Sequence, residues 1–253
     1  MEGRSSVAAL SVVLVCAALS VFLAACSSDP AAPTALGTVM HRSVPSSVSQ
    51  ITLTDQRARD LDLSSWRGKT VMIVPFLTLC TDICPLDTGN LLQVQRALAA
   101  DGVARHVQLV ELSIDPGRDT PARLAAYATL TGASWELVTE SAAAAGRLEQ
   151  FFGWDVQRVA EDTPPSIDWW TKQPLTYDVN HADGFVLLDR RGDEIFSTAA
   201  APDFHGTLNP TLHGLLNDEG RDHLAHPLHP GWNPAGALGA LGWAVGRSLP
   251  AAS

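Results

Sequence analysis

The sequence predicts an α/β fold with a central sheet, and three observations support this prediction. Runs of β-branched and apolar residues, which are typical of buried strands, recur along the chain. Between them lie segments that begin with capping residues or proline and continue with helical spacing. Two short apolar runs flank the turn sequence Arg190-Arg191-Gly192-Asp193, which indicates a hairpin. Strands that alternate with helices and end in a hairpin are the pattern of an α/β domain.

The strands are predicted from their apolar runs. Residues 70–77 are the strongest candidate, because a β-branched run with Pro75 near its end indicates a buried central strand. Residues 107–114 form a second buried run. The shorter candidates are residues 51–54, 61–63, 135–138, 185–189 and 194–196.

Three helices are predicted from their starts and from the composition that follows. Residues 85–100 have Pro85 in the first turn, where proline is tolerated. A second helix begins with Asp119 or Thr120 as its cap and ends near residue 130. The third, residues 141–152, is rich in alanine. We interpret the polar residues before the second helix as builders of its turn and cap rather than as catalytic groups; they are Asp115, Arg118 and Asp119.

The remaining segments divide the chain. Residues 153–176 contain two prolines in a row and two tryptophans in a row without a period, which indicates an irregular insertion. The predicted organisation is a signal peptide at 1–25, a lipid anchor and flexible tether at 26–48, a folded domain at 49–222, and a loosely ordered, histidine-containing C-terminal extension at 223–253.

The N-terminus has the features of an export signal. A charged start is followed by an almost unbroken apolar run over residues 7–25. The run ends in Leu23-Ala24-Ala25-Cys26, which resembles a bacterial lipobox, in which the cysteine carries the lipid. A single transmembrane anchor is the alternative, since the run approaches the roughly 20 residues that span a bilayer. Both interpretations predict a membrane-attached protein on the extracytoplasmic face.

Composition excludes some classes of function. The net charge is −10 and the 17 lysines and arginines form no basic block, so nothing favours binding to a nucleic acid. Four cysteines are too few for a disulfide scaffold in 253 residues. Cys16 would be removed with the signal and Cys26 would carry the lipid, which leaves two free thiols, Cys80 and Cys84.

The segment that carries these two cysteines lies between a buried strand and a helix. Ligands and catalytic groups gather at that end of strands in open α/β sheets. We expect the helix N-terminus to favour a thiolate at Cys84. The pair could close a structural disulfide, act as a redox-active pair, or present two soft ligands to one metal ion.

Three motifs together resemble the Sco/SenC family. They are the loop at residues 76–85, the stretch at 112–121 (LSIDPGRDTP), and residues 177–181 (YDVNH) before an apolar strand. The match spans roughly residues 48–200. The resemblance implies a thioredoxin-like fold, with a central mixed sheet flanked by helices, and a copper chaperone of cytochrome oxidase assembly.

The resemblance also implies the copper ligands, which would be Cys80, Cys84 and His181. Two thiolates suit Cu(I), and an added imidazole can also hold Cu(II). The sequence departs from the family pattern at Thr81, where proline is usual, and at Asn180, where aspartate is usual. We expect Asn180 and Asp82 to lie around the ligands, although Asp82 could equally be a solvated loop carboxylate.

The implied partner is cytochrome c oxidase subunit II, whose binuclear copper site would receive the metal or have its cysteines reduced. The alternative is a membrane-anchored thiol–disulfide oxidoreductase that uses a Cys80–Cys84 disulfide. We expect a monomer. His223, His226 and His229 could form an auxiliary metal site, but Pro227 and Pro230 argue against a helix that would hold them on one face.

Overall fold

The computed structural model describes residues 30–250. The predicted signal peptide and Cys26 therefore lie outside the described residues. The strands are β1 Thr38–Arg42, β2 Leu53–Asp55, β3 Asp60–Leu61, β4 Thr70–Phe76, β5 Val107–Ser113, β6 Glu136–Thr139, β7 Val156–Val159, β8 Asp178–His181, β9 Phe185–Leu188, β10 Glu194–Thr198, β11 Ala201–Pro202 and β12 Gly231–Trp232. The helices are α1 Ser46–Ser49, α2 Cys84–Ala100, α3 Pro121–Thr131, α4 Ala142–Phe152, α5 Pro210–His213, α6 Asp218–Ala225 and α7 Pro234–Val245.

Eight strands form the central sheet, in the order β1-β10-β9-β4-β5-β6-β2-β3. The pairs β4–β5 and β5–β6 are parallel, whereas β4 pairs with β9 in the antiparallel direction. Every residue of β4 and of β9 is buried, which explains why both read as continuous apolar runs. The predicted α/β class with a central mixed sheet and packed helices is confirmed.

The N-terminal part of the domain begins earlier than predicted. Residues 26–48 were expected to be a flexible tether, but β1 lies within them and pairs with β10 at the edge of the sheet. Thr38 pairs with Ser197, so the strand depends on a partner far along the chain. Its short local sequence carries no period that would have indicated it.

The prediction of a loosely ordered C-terminal extension is wrong for residues 223–250. Helix α7 packs against α2 and β4, and its Leu238 and Leu241 are buried. Asn233 caps α7, because its side chain accepts a hydrogen bond from the Gly236 N–H, and proline occupies the first turn. Ala237 and Ala240 of α7 are also fully buried, so these alanines belong to the core and not to a disordered extension.

The insertion at residues 153–176 is only partly irregular. Its first part forms β7, which pairs with β8 so that Val156 lies opposite His181. Further along, Asp168 is buried and binds Arg123 of α3 through two hydrogen bonds of 2.9 and 2.7 Å. Within residues 30–250, no helix combines the length and apolar character needed to cross a bilayer.

The Arg123–Asp168 ion pair should matter for stability. Burial opposes the charge of Asp168, but hydrogen bonds from Arg123 and from two backbone N–H groups outweigh it and lower the pKa of Asp168. We expect Asp168→Asn to reduce the free energy of unfolding by about 3 kcal/mol, because it leaves a buried guanidinium without its counter-charge.

Urea unfolding at several pH values measures this effect. Since the folded pKa is lowered, the stabilisation is present above the ordinary aspartate pKa of about 4 and is lost as the pH falls further. Asp218→Asn, which breaks an exposed pair with Arg221, is the control and should cost less than about 1 kcal/mol. Equal losses of unfolding free energy in the two variants would show that the buried pair stabilises the fold no more than an exposed pair does.

Candidate metal centre

Cys80 and Cys84 lie in the segment that runs from the end of the central strand β4 to the first residue of α2. Cys84 is the first residue of α2, with Pro85 in the first turn, and its side chain is fully buried. Cys80 lies in the preceding loop and is half-buried. Both thiols are free. The Cys84 N–H, at the helix start, points at the Cys80 sulfur over 3.4 Å.

His181 comes to the same place from the other side of the site. It is the last residue of β8, held by pairing with β7. Its Nδ1–H donates to the Ala182 carbonyl over 2.9 Å, since a carbonyl can only accept. This bond leaves Nε2 facing the sulfurs, 3.5 Å from Cys84 Sγ.

The three predicted ligand residues therefore converge. Sulfurs of Cys80 and Cys84 and a ring nitrogen of His181 all lie within 4.8 Å of one another. Two sulfur donors and one imidazole are the soft and borderline ligands that copper binds well. The donor set fits the copper ion that the family resemblance implied, and a fixed Nδ1–H is the usual way in which a ligand imidazole is oriented.

The two sulfurs are electrostatically different. Hydrogen bonding from the Cys84 thiol lowers the pKa of Cys80 well below its usual value, against the effect of burial, and His181 lowers it further. Burial and the neighbouring Cys80 raise the pKa of Cys84. The expectation of a thiolate at Cys84 was therefore wrong: the helix N-terminus donates its N–H to Cys80 instead, and Cys84 is too deeply buried to be the charged sulfur.

The imidazole completes this network. Burial disfavours a charged ring, but the nearby Cys80 sulfur and its negative charge outweigh burial and raise the pKa of His181. The lowered pKa of Cys80 and the raised pKa of His181 therefore favour a thiolate beside a protonated imidazole. Metal binding at these atoms must release protons, so affinity should fall as the pH is lowered.

We expect Cys80 to react with iodoacetamide at low pH while Cys84 does not. At pH 6.5 an ordinary thiol with a pKa of about 8.5 is roughly 1% thiolate, whereas the lowered pKa of Cys80 gives it a larger thiolate fraction. Cys80 should react at least about tenfold faster than free cysteine at that pH. Peptide mass spectrometry after timed labelling measures both sites. Equal labelling of the two cysteines, with rates that drop like those of free cysteine below pH 8, would contradict this assignment.

A cavity of about 430 Å³ opens beside the cysteine loop. Cys80, His181 and Asn180 line it, together with five carboxylates from Asp82, Asp162, Asp178, Asp183 and Glu219. Of the described residues, no lysine or arginine lines this cavity. The cavity is therefore strongly acidic and favours cations over anions.

Comparison with known proteins identifies the family. A family model described as SCO1/SenC matches residues 40–203, which is more than half of the chain and includes the cysteine loop and His181. The chain belongs to the SCO1/SenC family. The resemblance stated from the three sequence motifs is confirmed.

Sequence relatives of this Sco family member vary in how much they match. It is 25% identical to the SCO1 protein homolog of Bacillus subtilis over 175 residues, which are 68% of this chain and 80% of the relative. It is 39% identical to the mitochondrial SCO2 homolog of Bos taurus over 75 residues, which are 30% of this chain. That match spans only 28% of the length of the bovine protein.

The fold of this Sco family member is also found in solved structures. Copper-bound ScoI of Bradyrhizobium japonicum aligns with a TM-score of 0.50 and 25% identity, over 65% of this chain and 94% of ScoI. The predicted thioredoxin-like fold is confirmed by this agreement. The SCO1/SenC match ends at residue 203, so α5, α6 and α7 follow the matched region.

The stretch at residues 112–121 holds both halves of the Sco site in place, which the sequence did not reveal. Asp119 and Thr120 were the two candidate caps of α3, and Thr120 is the cap. Asp119 is buried and accepts hydrogen bonds from the Thr78 hydroxyl at 2.5 Å and from the Ser113 hydroxyl at 2.7 Å. It therefore anchors the loop that carries the cysteines.

Asp115 and Arg118 anchor the other half. Tyr177, just before β8, donates its hydroxyl to Asp115 over 2.8 Å, and its carbonyl accepts from Arg118 over 2.7 Å. The guanidinium of Arg118 also lies 3.8 Å from the centre of the Tyr177 ring. These residues were interpreted as a turn, whereas they also fix the strand that ends at His181. Their position directly after the central strand β5 could have indicated this role, because the loops that follow central strands meet at one edge of the sheet.

The two residues expected around the ligands differ in their contacts. Asn180 is exposed and lines the cavity, while the His181 ring is oriented by the Ala182 carbonyl. Asp82 is not simply a solvated carboxylate, because it binds the imidazole of His223 over 2.6 Å. Burial, and then the charge of Cys80, raise the pKa of Asp82 to about 6.

Proposed function

We propose that this protein is an extracytoplasmic copper metallochaperone whose ligands are Cys80, Cys84 and His181. The convergence of two sulfurs and one imidazole nitrogen within 4.8 Å carries this proposal. The acidic cavity beside them would draw a cation toward the sulfurs. Copper-bound ScoI, a relative with the same fold, supports copper as the metal.

The acceptor would be the binuclear copper site of cytochrome c oxidase subunit II. This part of the proposal rests on family membership, since the Sco/SenC resemblance implies a role in oxidase assembly. Half-buried Cys80 borders the cavity and would be the first sulfur that an incoming ligand reaches. Copper would then pass by ligand exchange, with Cys84 and His181 released last. The lipid at Cys26 would keep the domain at the extracytoplasmic face of the cell membrane.

A second function is favoured by the inequality of the sulfurs. A half-buried thiolate beside a buried thiol is the arrangement of a dithiol reductant, in which one sulfur attacks and the other resolves. The Cys80 thiolate would attack a partner disulfide, and Cys84 would then displace the partner thiolate. The Cys80–Cys84 disulfide forms as the partner gains two thiols, so electrons and protons balance.

An acceptor assay separates the two functions. Apo subunit II copper domain is offered with its cysteines either reduced or joined as a disulfide. For the chaperone we expect the Cu(I)-loaded chain to transfer copper to the reduced acceptor. The His181→Ala chain, treated with the same copper and then freed of unbound metal, should retain little copper and therefore transfer little. For the oxidoreductase we expect the metal-free dithiol chain to reduce the disulfide acceptor, with or without His181.

The outcomes are read by copper content and thiol counting after separation. Copper transfer without acceptor reduction supports the chaperone alone, and reduction without transfer supports the oxidoreductase alone. Absence of both, with a chain that remains folded, would refute the assembly role.

A further inference from the structure

Helix α6 lies directly against the cysteine loop, although it follows the region matched by the family. The Asn217 N–H, at the start of α6, donates to the Thr81 carbonyl over 2.8 Å. A Cβ atom at Gly220 would lie 2.7 Å from the Thr81 oxygen and 2.8 Å from the Asp82 oxygen. Only glycine permits this approach, so the backbone of α6 is fitted to the loop between the two cysteines.

This contact brings three ligand-type side chains together. Glu219 and His223 are four residues apart on α6, which puts them on one face of the helix. Asp82 reaches them from the cysteine loop. Carboxylate oxygens of Asp82 and Glu219 and a ring nitrogen of His223 lie within 4.8 Å of one another.

No lysine or arginine among the described residues lines the cavity beside the cluster of Asp82, Glu219 and His223. The Asp82 and Glu219 carboxylates face the same cavity as the sulfur centre. In this part of the chain, the Glu219 carboxylate has neither an ion pair nor a hydrogen bond. Two carboxylates beside a largely buried imidazole repel each other, and a bound cation would remove that repulsion.

We propose that Asp82, Glu219 and His223 form a second metal site, beside the sulfur centre, that binds a divalent cation and prefers Cu(II). Carboxylate oxygens and an imidazole are ligands for divalent first-row metals, among which Cu(II) binds such sites most strongly. Cu(I) prefers the sulfurs, so the two centres differ in the oxidation state that they favour. His226 and His229 are not part of this site, because α6 ends at Ala225, before Pro227.

Cu(II) titration of the full chain with Cys80→Ser and Cys84→Ser tests this site without the sulfurs. We expect one equivalent of Cu(II) with nitrogen and oxygen ligands in the electron paramagnetic resonance spectrum. In the same background, His223→Ala and Glu219→Gln should each weaken binding at least about tenfold, in line with the cost of disturbing a metal site. His226→Ala is the matched control, since this exposed histidine pairs with Asp222 and not with the cluster residues, and affinity should not change.

A second measurement covers the case in which the serine variant does not fold, as judged by circular dichroism. The unaltered cysteines are then blocked with redox-inert Ag(I), and Co(II) is added as the probe. We expect one Co(II) without thiolate-to-metal charge-transfer bands, and its loss in His223→Ala. No divalent ion bound by the folded chain, or binding that His223→Ala leaves intact, overturns the proposal. A Cu(I) titration of the unaltered chain tests the sulfur centre separately, so failure of one site is distinguishable from failure of the other.

Discussion

His181→Ala should weaken Cu(I) binding by at least about 100-fold, because it removes one of three converging ligand atoms. Disturbing only an outer partner of a metal ligand costs 10- to 100-fold, so loss of the ligand itself should cost more. The Cys80–Cys84 pair should stay reducible and should form a disulfide on oxidation. Competition titration with a Cu(I) chelator measures the affinity.

The control for this variant is His205→Ala. His205 is exposed, pairs with Asp203 and is not one of the converging ligand residues, so its removal should leave Cu(I) affinity unchanged. If His181→Ala binds Cu(I) as tightly as the unaltered chain, the imidazole is not a ligand and the three-ligand centre is wrong.

Trp232→Ala should reduce the free energy of unfolding by about 3–5 kcal/mol, the usual cost of removing a large buried aromatic side chain. Trp232 is fully buried in the segment before α7 and lies edge-on to Phe185, with ring centres 5.4 Å apart. Its Nε1–H donates to Asp87 over 3.1 Å, so the variant also leaves a buried carboxyl without its donor. Urea unfolding followed by circular dichroism measures the change.

Trp170→Ala is the matched control. The Trp170 side chain is exposed, with Arg123 over its ring at 5.0 Å, and its loss should cost less than about 1 kcal/mol. Similar small losses for both variants would mean that the segment around Trp232 is not an integral part of the folded domain.

Local sequence patterns predicted the centre of the fold. The buried runs became β4 and β5, and proline-started segments became α2 and α3, because their signals depend on neighbours in the sequence. The ligand residues were predicted from three motifs that occur in the chain in the same order as in the Sco/SenC family. His181, 97 residues from Cys84, was reached by resemblance and not by local pattern.

What the sequence did not predict depends on partners far apart in the chain. Strand β1 exists through pairing with β10, and His223 meets Asp82 across 141 residues. The sequence left Asp119 and Thr120 open as the cap of α3, because the hydrogen bond between Asp119 and Thr78, 41 residues away, has no local sequence signal. The charge of the two sulfurs was misassigned for a related reason: the burial of Cys84 is a tertiary property that spacing does not express.

X-ray absorption at the copper edge of the Cu(I)-loaded chain tests the three-ligand centre most directly. We expect two sulfur neighbours and one imidazole nitrogen per copper, and loss of that nitrogen in His181→Ala with both sulfurs retained. Copper with fewer than two sulfur neighbours, or a nitrogen neighbour that persists without His181, would contradict a centre built from Cys80, Cys84 and His181.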